Sequence, residues 1–324
     1  MTLDRDEHRL LYRIAQAYYS DGQTQQQIAR RFGLSRPKVS RLLQKARDTR
    51  VVHITLVPPS GGLADLEREV EARYRLEEVV LVACSDPANS DLVALELGAA
   101  AADCLLRSVA EGSVVGLAWG RSILALVNAL PVHPVPDLTI VQVSGGLGPV
   151  GALEHSTEVA RRAAQKLGAR LRLLPAPGIV SSAEAARALR ADHQISEVLK
   201  MAAAADVAVL GLGVPAPDSV LVRDGTIVTA EDLTRLRMSG AVGDLALRYV
   251  DAEGRPVNLE LNERIIGLTL AQIAGIPRVI GVAGGTAKRE IVLAALRAGI
   301  LDVLVTDQAT AEGLVEVDLK ESTD

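Results

Sequence analysis

Apolar residues in the first fifty positions recur at the three- and four-residue spacing of amphipathic helices. They fall into three groups: Leu10, Leu11, Ile14, Ala17 and Tyr18; then Ile28, Ala29 and Phe32; then Val39, Leu42, Leu43 and Ala46. Because each group occupies one side of a helix, the pattern predicts three short helices. Residues 51–57, Val-Val-His-Ile-Thr-Leu-Val, favour a strand, which would form the wing of a winged helix.

The residues between these groups predict where the second and third helices begin. Thr24 and Gln27 have the spacing of a capping box, so a helix is expected to start there. Gly33 suits a tight turn with positive φ, and Ser35 suits the N-cap of the next helix, which tolerates Pro37 in its first turn. Two short helices joined by a glycine turn are typical of a helix-turn-helix.

The charge pattern indicates what this helix-turn-helix binds. The first fifty residues have eleven Lys/Arg and five Asp/Glu, a net charge of +6; the whole chain has −5, which leaves −11 for the remainder. A basic N-terminal segment joined to an acidic remainder favours binding of the helix-turn-helix to DNA phosphates. The alternative is an ordinary helical hairpin with a solvated basic face. The predicted DNA-binding residues are Gln25, Arg36, Lys38, Ser40, Arg41, Gln44 and Lys45, with Arg30, Arg31 and Arg47 as further candidates for phosphate contacts.

Beyond residue 62, short β-branched runs alternate with amphipathic segments. The predicted strands are Val79–Ala83, Val114–Leu117, Thr139–Val143, Leu171–Leu174, Val207–Leu210, Val279–Val282 and Val303–Thr306. The predicted helices include Asp91–Ala110, Glu154–Leu167, Asp192–Ala204 and Lys288–Ala298. This alternation is typical of an α/β fold with a largely parallel sheet covered by helices on both faces.

Composition sets the domain layout and the expected compartment. Pro58-Pro59-Ser60-Gly61-Gly62 reads as a linker, so we expect a DNA-binding domain at 1–57 and a larger domain at 58–324. The sequence has no uncharged run of eighteen residues, and five charges in Met1–Arg9 are unlike a signal peptide, so a cytoplasmic protein is expected. Neither the two cysteines nor the five histidines have metal-site spacing, so no metal or cofactor is expected.

Four glycine-rich segments follow or end predicted strands. They are Gly116-Leu-Ala-Trp119-Gly120-Arg121-Ser122, Gly145-Gly146-Leu147-Gly148, Gly211-Leu-Gly213 and Gly284-Gly285-Thr286-Ala287-Lys288. Parallel sheets bind ligands beyond the carboxyl ends of their strands, where helix N-termini offer free N–H groups. Lys288 adds a cation in the first turn of a helix, which together with these segments favours an anionic ligand such as a sugar phosphate. Tight turns alone are the alternative explanation for the glycines.

Two known nucleotide motifs do not fit. Gly211-Leu-Gly-Val-Pro-Ala216 matches the dinucleotide fingerprint, but Pro215 and Pro217 prevent the turn from continuing into a helix. The segment ending at Lys288 lacks P-loop spacing.

Two carboxylates leave alternatives open. Asp244 ends the run Gly240-Ala-Val-Gly-Asp and could bond to sugar hydroxyls, act as a general base in an enzyme, or cap a helix at Leu245–Tyr249. Asp307 could cap the last helix or lie at the rim of the pocket.

Taken together, these motifs resemble the SorC family of sugar-responsive transcriptional regulators (SorC/DeoR-type) over nearly the whole chain. The resemblance depends on Thr24–Ala46, Trp119–Ser122, Val141–Gly148, Leu174–Pro177, Ala205–Gly213, Gly240–Asp244 and Arg264–Ala311. It implies a winged helix-turn-helix joined to a Rossmann-like α/β sugar-binding domain, which is similar to glucosamine-6-phosphate deaminase and ribose-5-phosphate isomerase.

The resemblance also implies a site and partners. The implied effector-binding residues are Trp119, Gly120, Arg121, Ser122, Gly145, Gly146, Gly148, Asp244 and Lys288. Operator DNA, a sugar or sugar-phosphate effector and a homotetramer built as a dimer of dimers are the implied partners. Thr157 stands where asparagine is common in the family, which bears on the identity of the sugar. The competing hypothesis is a sugar-phosphate isomerase or deaminase that carries a DNA-binding domain.

Overall fold

The computed structural model describes residues 5–53, 62–146, 150–215, 228–257 and 259–321. The chain divides into two compact units, Met1–Ser60 and Gly61–Asp324. No helix in the described ranges is long and apolar enough to cross a membrane.

The first unit is a three-helix domain. Its helices are α1 (Arg5–Ala15), which continues as a π-helical turn at Gln16–Ser20, α2 (Gln25–Phe32) and α3 (Arg36–Asp48). The predicted apolar stripes form its core, where Ile14, Ile28 and Val39 are fully buried. Residues 51–53 form a bend and a coil rather than a strand, and the rest of the predicted wing, 54–57, lies outside the described residues together with the linker residues 58–61.

The second unit is built on a sheet of seven parallel strands in the order β1-β9-β8-β5-β2-β3-β4, to which a short antiparallel hairpin, β6–β7, is added at β5. The strands are β1 (Glu78–Val82), β2 (Val114–Leu117), β3 (Thr139–Gln142), β4 (Arg170–Arg172), β5 (Val207–Gly213), β6 (Gly243–Leu245), β7 (Arg248–Val250), β8 (Val279–Val282) and β9 (Val303–Asp307). All seven predicted strands are confirmed.

Helices cover both faces of this sheet. They are α4 (Leu63–Tyr74), α5 (Ser90–Ser108), α6 (Arg121–Ala129), α7 (Val150–Leu167), α8 (Ala183–Ala191), α9 (His193–Ala203), α10 (Ala230–Met238), α11 (Leu259–Glu263), α12 (Leu270–Ala274), α13 (Arg289–Arg297) and α14 (Gln308–Glu321). Alternate residues of β5 belong to different apolar clusters, Val207 and Val209 to one and Ala208 and Leu210 to the other. Every residue of β8 and β9 is buried, which explains their nearly continuous apolar runs, whereas the edge strand β4 has two exposed arginines.

The structure corrects two local expectations. Residues 245–249 do not form a helix that Asp244 caps: β6 and β7 form a hairpin whose two-residue turn is Ala246-Leu247. The segment Gly211-Leu-Gly213 is not a turn after a strand, because β5 continues through Gly213. The segment 245–249 is too short to distinguish a helical period from a strand period, which explains the first error.

Candidate functional site

The helix-turn-helix geometry follows from its caps. Thr24 Oγ1 accepts from the Gln27 amide at 3.3 Å, and the Gln27 side chain accepts from the Thr24 amide at 2.8 Å, which completes the capping box. Gly33 ends α2 with φ 65°, and Ser35 Oγ accepts from the Lys38 amide at the start of α3. Val39, Leu43 and Ala46 are buried, so α3 turns its opposite side to solvent.

The exposed side of α3 contains free cations at its N-terminal half. Arg36, Lys38 and Arg41 are exposed, as is Ser40, and in the described ranges none of these three cations has an ion-pair partner. Such groups can form hydrogen bonds to phosphate oxygens and to base edges. Gln25, at the first position of α2, is half-buried.

Other predicted DNA-binding residues have internal partners. Lys45 Nζ pairs with the Glu7 carboxylate, and Gln44 donates to Asp48 and accepts from Arg47. Arg31 lies over the Phe32 ring and 3.8 Å from the Asp21 carboxylate. The available charge is therefore concentrated at Arg36–Arg41 rather than spread along the whole helix.

In the second unit, Asp244 lies against the carboxyl end of β5. Strand β6 pairs antiparallel with β5, with Asp244 opposite Gly213, and Asp244 is 7% exposed. A Cβ on Gly213 would lie 2.1 Å from Asp244 Oδ1, a distance that no side chain tolerates. Gly213 is therefore glycine because the carboxylate occupies the space of its missing side chain.

A strained turn holds this carboxylate in place. Ala246 and Leu247 have φ values of 48° and 74°, the left-handed pair that a two-residue type I′ hairpin turn requires and that glycine or asparagine usually supplies. The Leu247 amide donates to Asp244 Oδ2 at 3.0 Å. Left-handed backbone at a bulky residue is costly and concentrates at functional sites.

The charges around Asp244 perturb one another. Burial raises the pKa of Asp244 to about 6, while the Leu247 amide and the charge of Lys288 oppose that shift. Desolvation lowers the pKa of the half-buried Lys288 to about 8, assisted by Arg121 and opposed by Asp244. Asp244, Lys288 and Arg121 thus share one electrostatic environment, yet no ion pair within 4.0 Å joins Lys288 to Asp244 in the described part of the chain.

Two helices begin beside these charges without a capping side chain. Helix α6 follows Gly120 (φ 128°), and α13 follows the 3₁₀ turn Thr286–Lys288; neither start has a side-chain cap. Helices α5, α8, α9, α10 and α12 by contrast begin with a capping Asn, Ser, Asp or Thr. The first amides of α6 can therefore bind an anion, whereas in the turn before α13 the Thr286 amide already donates to the Pro87 carbonyl and the Lys288 amide to the Gly285 carbonyl.

The other residues of the predicted Trp119–Ser122 segment lie at the same start of α6. Trp119 is half-buried against an apolar cluster that includes Leu247 and Tyr249. Ser122 is buried, and the exposed Arg121 pairs with Asp91 at 2.5 Å. The structure therefore brings Trp119, Gly120, Arg121 and Ser122 to the charges of Asp244 and Lys288.

The remaining glycine loops have structural tasks. The amides of Gly145 and Gly146 donate to the carbonyls of Ile266 and Ala176, each at 2.9 Å, and a Cβ on Gly145 would meet the Ala176 and Pro177 carbonyl oxygens at 2.6 Å. Glycine is needed here for close backbone packing, and these two amides are already engaged. Gly148 lies outside the described residues.

Asp307 engages the glycine loop after β8. Its Oδ2 accepts from the Gly285 amide at 2.5 Å, while Oδ1 accepts from the Thr310 amide in the first turn of α14. The helix-cap interpretation of Asp307 is confirmed, and the Gly285 amide is not available to a ligand.

Sequence reasoning missed three buried hydroxyls and one buried cation. Ser144, Ser156 and Thr306 have buried Oγ atoms without a partner among the described residues. Ser144 lies two residues after the end of β3, next to Gly145, and Thr306 lies in β9, next to Asp307. A polar residue beside an expected site residue is a signal that could have identified both. Arg248 was missed because nothing in its local sequence predicts burial.

The chain is similar to several known proteins. The Sugar-bind family model, described as "Putative sugar-binding domain", matches residues 59–316. The transcriptional regulator LsrR of Klebsiella pneumoniae is 34% identical over 95% of this chain and 93% of its own length. The deoxyribonucleoside regulator of Bacillus subtilis is 30% identical over 97% and 99%, respectively.

Among solved structures, the full-length sorbitol operon regulator SorC of Klebsiella pneumoniae superposes with a TM-score of 0.71, covering 96% of this chain and 99% of that chain at 27% identity. A helix-turn-helix joined to a sugar-binding domain defines a DNA-binding transcriptional regulator that responds to a sugar, not an enzyme. The chain belongs to the SorC family of sugar-binding transcriptional regulators.

Proposed function

We propose that a phosphorylated sugar binds between Lys288 and Asp244 and controls the affinity of the helix-turn-helix for operator DNA. The observation that supports this most is the proximity of Lys288 and Asp244, two groups of opposite charge that form no ion pair with each other among the described residues, beside the start of α6, which has no capping side chain. A cation and free amides suit a phosphate, whereas a buried carboxylate that accepts a single backbone N–H among the described residues suits sugar hydroxyls.

In this proposal the residues have distinct roles. Lys288, Arg121 and the α6 amides at Gly120–Ser122 contact the phosphate, Asp244 contacts hydroxyls, and Trp119 covers the sugar. Gly145 and Gly146 shape the facing wall, and the role of Gly148 expected from the sequence stays a prediction. On the DNA side, Arg36, Lys38, Ser40 and Arg41 enter the major groove, while Gln25, Gln44 and Lys45 lie at the edge of the contact. The ligand changes the relative stability of two subunit arrangements, one of which fits DNA, and a coupling of about 1–3 kcal/mol is ordinary for such a switch.

Assembly and location complete the proposal. The chain has a DNA-binding domain at 1–57 and an effector domain at 58–324, and it assembles in the cytoplasm as a homotetramer, a dimer of dimers. Pairs of DNA-binding domains then bind repeated half-sites of the operator. Light scattering of the purified protein tests this, because a tetramer has four times the chain mass of 34.2 kDa. A monomeric mass at working concentration would contradict it.

Trp119, the single tryptophan, reports on the pocket directly. Its fluorescence is followed while free and phosphorylated forms of the same sugar are added in parallel. The names of the relatives make deoxyribose with its 5-phosphate and sorbitol with its 6-phosphate the first pairs to test. A saturable response to a phosphorylated member alone is expected. A response to the free sugar alone would contradict the role given to Lys288.

Affinity for the phosphorylated sugar should decrease at alkaline pH. Because the pKa of Lys288 is lowered to about 8, the ammonium loses its charge as pH rises through that value, while the phosphate remains a dianion. We expect Kd to rise about tenfold for each pH unit above 8 in the wild type. The Lys288→Arg variant keeps its charge and should show a flat profile between pH 7 and about 10. Equal slopes for the two proteins would assign the phosphate to another group.

A further inference from the structure

Arg248 is a buried cation in the β6–β7 hairpin. It begins β7, directly after the Ala246-Leu247 turn, and is 6% exposed. Within the described ranges no Asp or Glu pairs with it; instead Nε donates to the Leu268 carbonyl at 2.9 Å, Nη2 to Gly267 at 3.0 Å and Nη1 to Asn262. Burying a guanidinium is costly, so a role for its charge and geometry is needed to explain it.

The three carbonyls belong to one segment, residues 262–268, which we call the strap. The other edge of the strap pairs with the end of β3 and with Gly145-Gly146, the glycine loop that follows β3. The Leu268 amide donates to the Val143 carbonyl and the Gly145 amide to the Ile266 carbonyl, both at 2.9 Å, and Ser144 and Gly267 form an antiparallel bridge. Arg248 therefore connects the Asp244 hairpin to the glycine loop through the strap.

The tip of the hairpin also lies against that loop. A Cβ on Gly178 would meet Leu247 Cδ1 at 2.9 Å, and the Gly178 amide donates to the Gly146 carbonyl. The amide of the same Leu247 bonds to Asp244 Oδ2. A shift of the strap would consequently move the turn that holds the carboxylate.

We propose that Arg248 is a positioning residue of the effector site: its guanidinium holds the Asp244 hairpin and the glycine loop at a fixed separation through the strap. The role in ligand binding rests on the proposed function, whereas the mechanical coupling does not. Only the planar fork of an arginine reaches three carbonyls at once, so neither lysine nor an apolar residue of equal length replaces it fully.

A matched control is available at Arg190. This residue also donates to the strap, at the carbonyls of Ile265 and Glu263, but it comes from α8 rather than from the hairpin. Arg248→Met should remove the coupling, while Arg190→Met removes a strap contact and leaves the coupling in place. Arg248→Lys keeps the buried charge and serves if the methionine variant folds poorly.

Hydrogen exchange of the ligand-free protein tests the coupling. In Arg248→Met we expect protection of the Leu247 and Gly145 amides to fall at least about tenfold more than that of amides in β9, with a smaller fall in Arg248→Lys and a change within about twofold in Arg190→Met. Unchanged protection at Gly145, a uniform loss across the sheet, or an equal loss in Arg190→Met would overturn the proposal.

A second arm adds deoxyribose 5-phosphate as the probe and follows Trp119 fluorescence. Affinity should weaken at least about tenfold in Arg248→Met and within about twofold in Arg190→Met, matching the order seen in exchange. If the wild type does not bind this probe, the effector assignment fails for that sugar, and the exchange experiment still decides the positioning role. Equal affinities in wild type and Arg248→Met would overturn that role.

Discussion

Gly213→Ala is expected to abolish the response to the effector while operator binding persists. The new Cβ would lie 2.1 Å from Asp244 Oδ1, so either the carboxylate or strand β5 must move. Overpacking of this kind costs about 1–3 kcal/mol of stability. The displaced carboxylate should also weaken sugar binding about 10- to 100-fold, since it loses both its position and its bond from Leu247.

Gly211→Ala is the matched control on the same strand. A Cβ there meets its nearest neighbours, Ile123 and the Trp119 carbonyl, at 3.5 Å, which is ordinary contact. Titration of Trp119 fluorescence and operator binding by both variants gives the comparison. If both alanines bind the sugar as the wild type does, Asp244 is not a ligand contact.

Arg41→Ala should weaken operator binding strongly with little change in melting temperature. The side chain is exposed on α3 and has no internal partner in the described ranges, so its charge is available to DNA. Loss of a base contact costs about 1–3 kcal/mol, roughly 5- to 150-fold, whereas loss of a phosphate contact lowers the salt dependence by about one unit.

Lys45→Ala is the control for this experiment, because that ammonium already pairs with Glu7. We expect a smaller loss of DNA affinity and a change in stability below about 1 kcal/mol. Fluorescence anisotropy with an operator selected from random duplexes, at several salt concentrations, measures both variants. A larger loss for Lys45→Ala than for Arg41→Ala would mean that the DNA-facing surface is assigned to the wrong part of α3.

Local chemistry explains why the helix-turn-helix could be predicted from the sequence. At the ends of helices, threonine and serine favour the N-cap and glycine favours the left-handed C-cap. The structure shows Thr24 and Ser35 as N-caps and Gly33 as a C-cap. The parallel strands were equally predictable, because burial on both faces leaves continuous β-branched runs such as Val303–Thr306.

The proposed effector site was only partly predictable because glycine has several uses. Gly145 permits close backbone packing and Gly213 makes room for a carboxylate, and neither offers a free cradle for a phosphate. The sequence does not distinguish these uses of glycine, because each use depends on a residue far along the chain. Arg248 shows the same limit: its three acceptors lie 14 to 20 residues away, and only the folded hairpin brings them together.

Sugar binding at Lys288 is proposed to control DNA binding. The most direct measurement is operator affinity of wild type and Lys288→Ala, with and without the phosphorylated sugar that changes Trp119 fluorescence. We expect equal operator affinities without sugar, a shift of about 5- to 150-fold in the wild type on adding it, and no shift in Lys288→Ala. A full shift in the variant would contradict the account, as would a wild-type operator affinity that the bound sugar leaves unchanged.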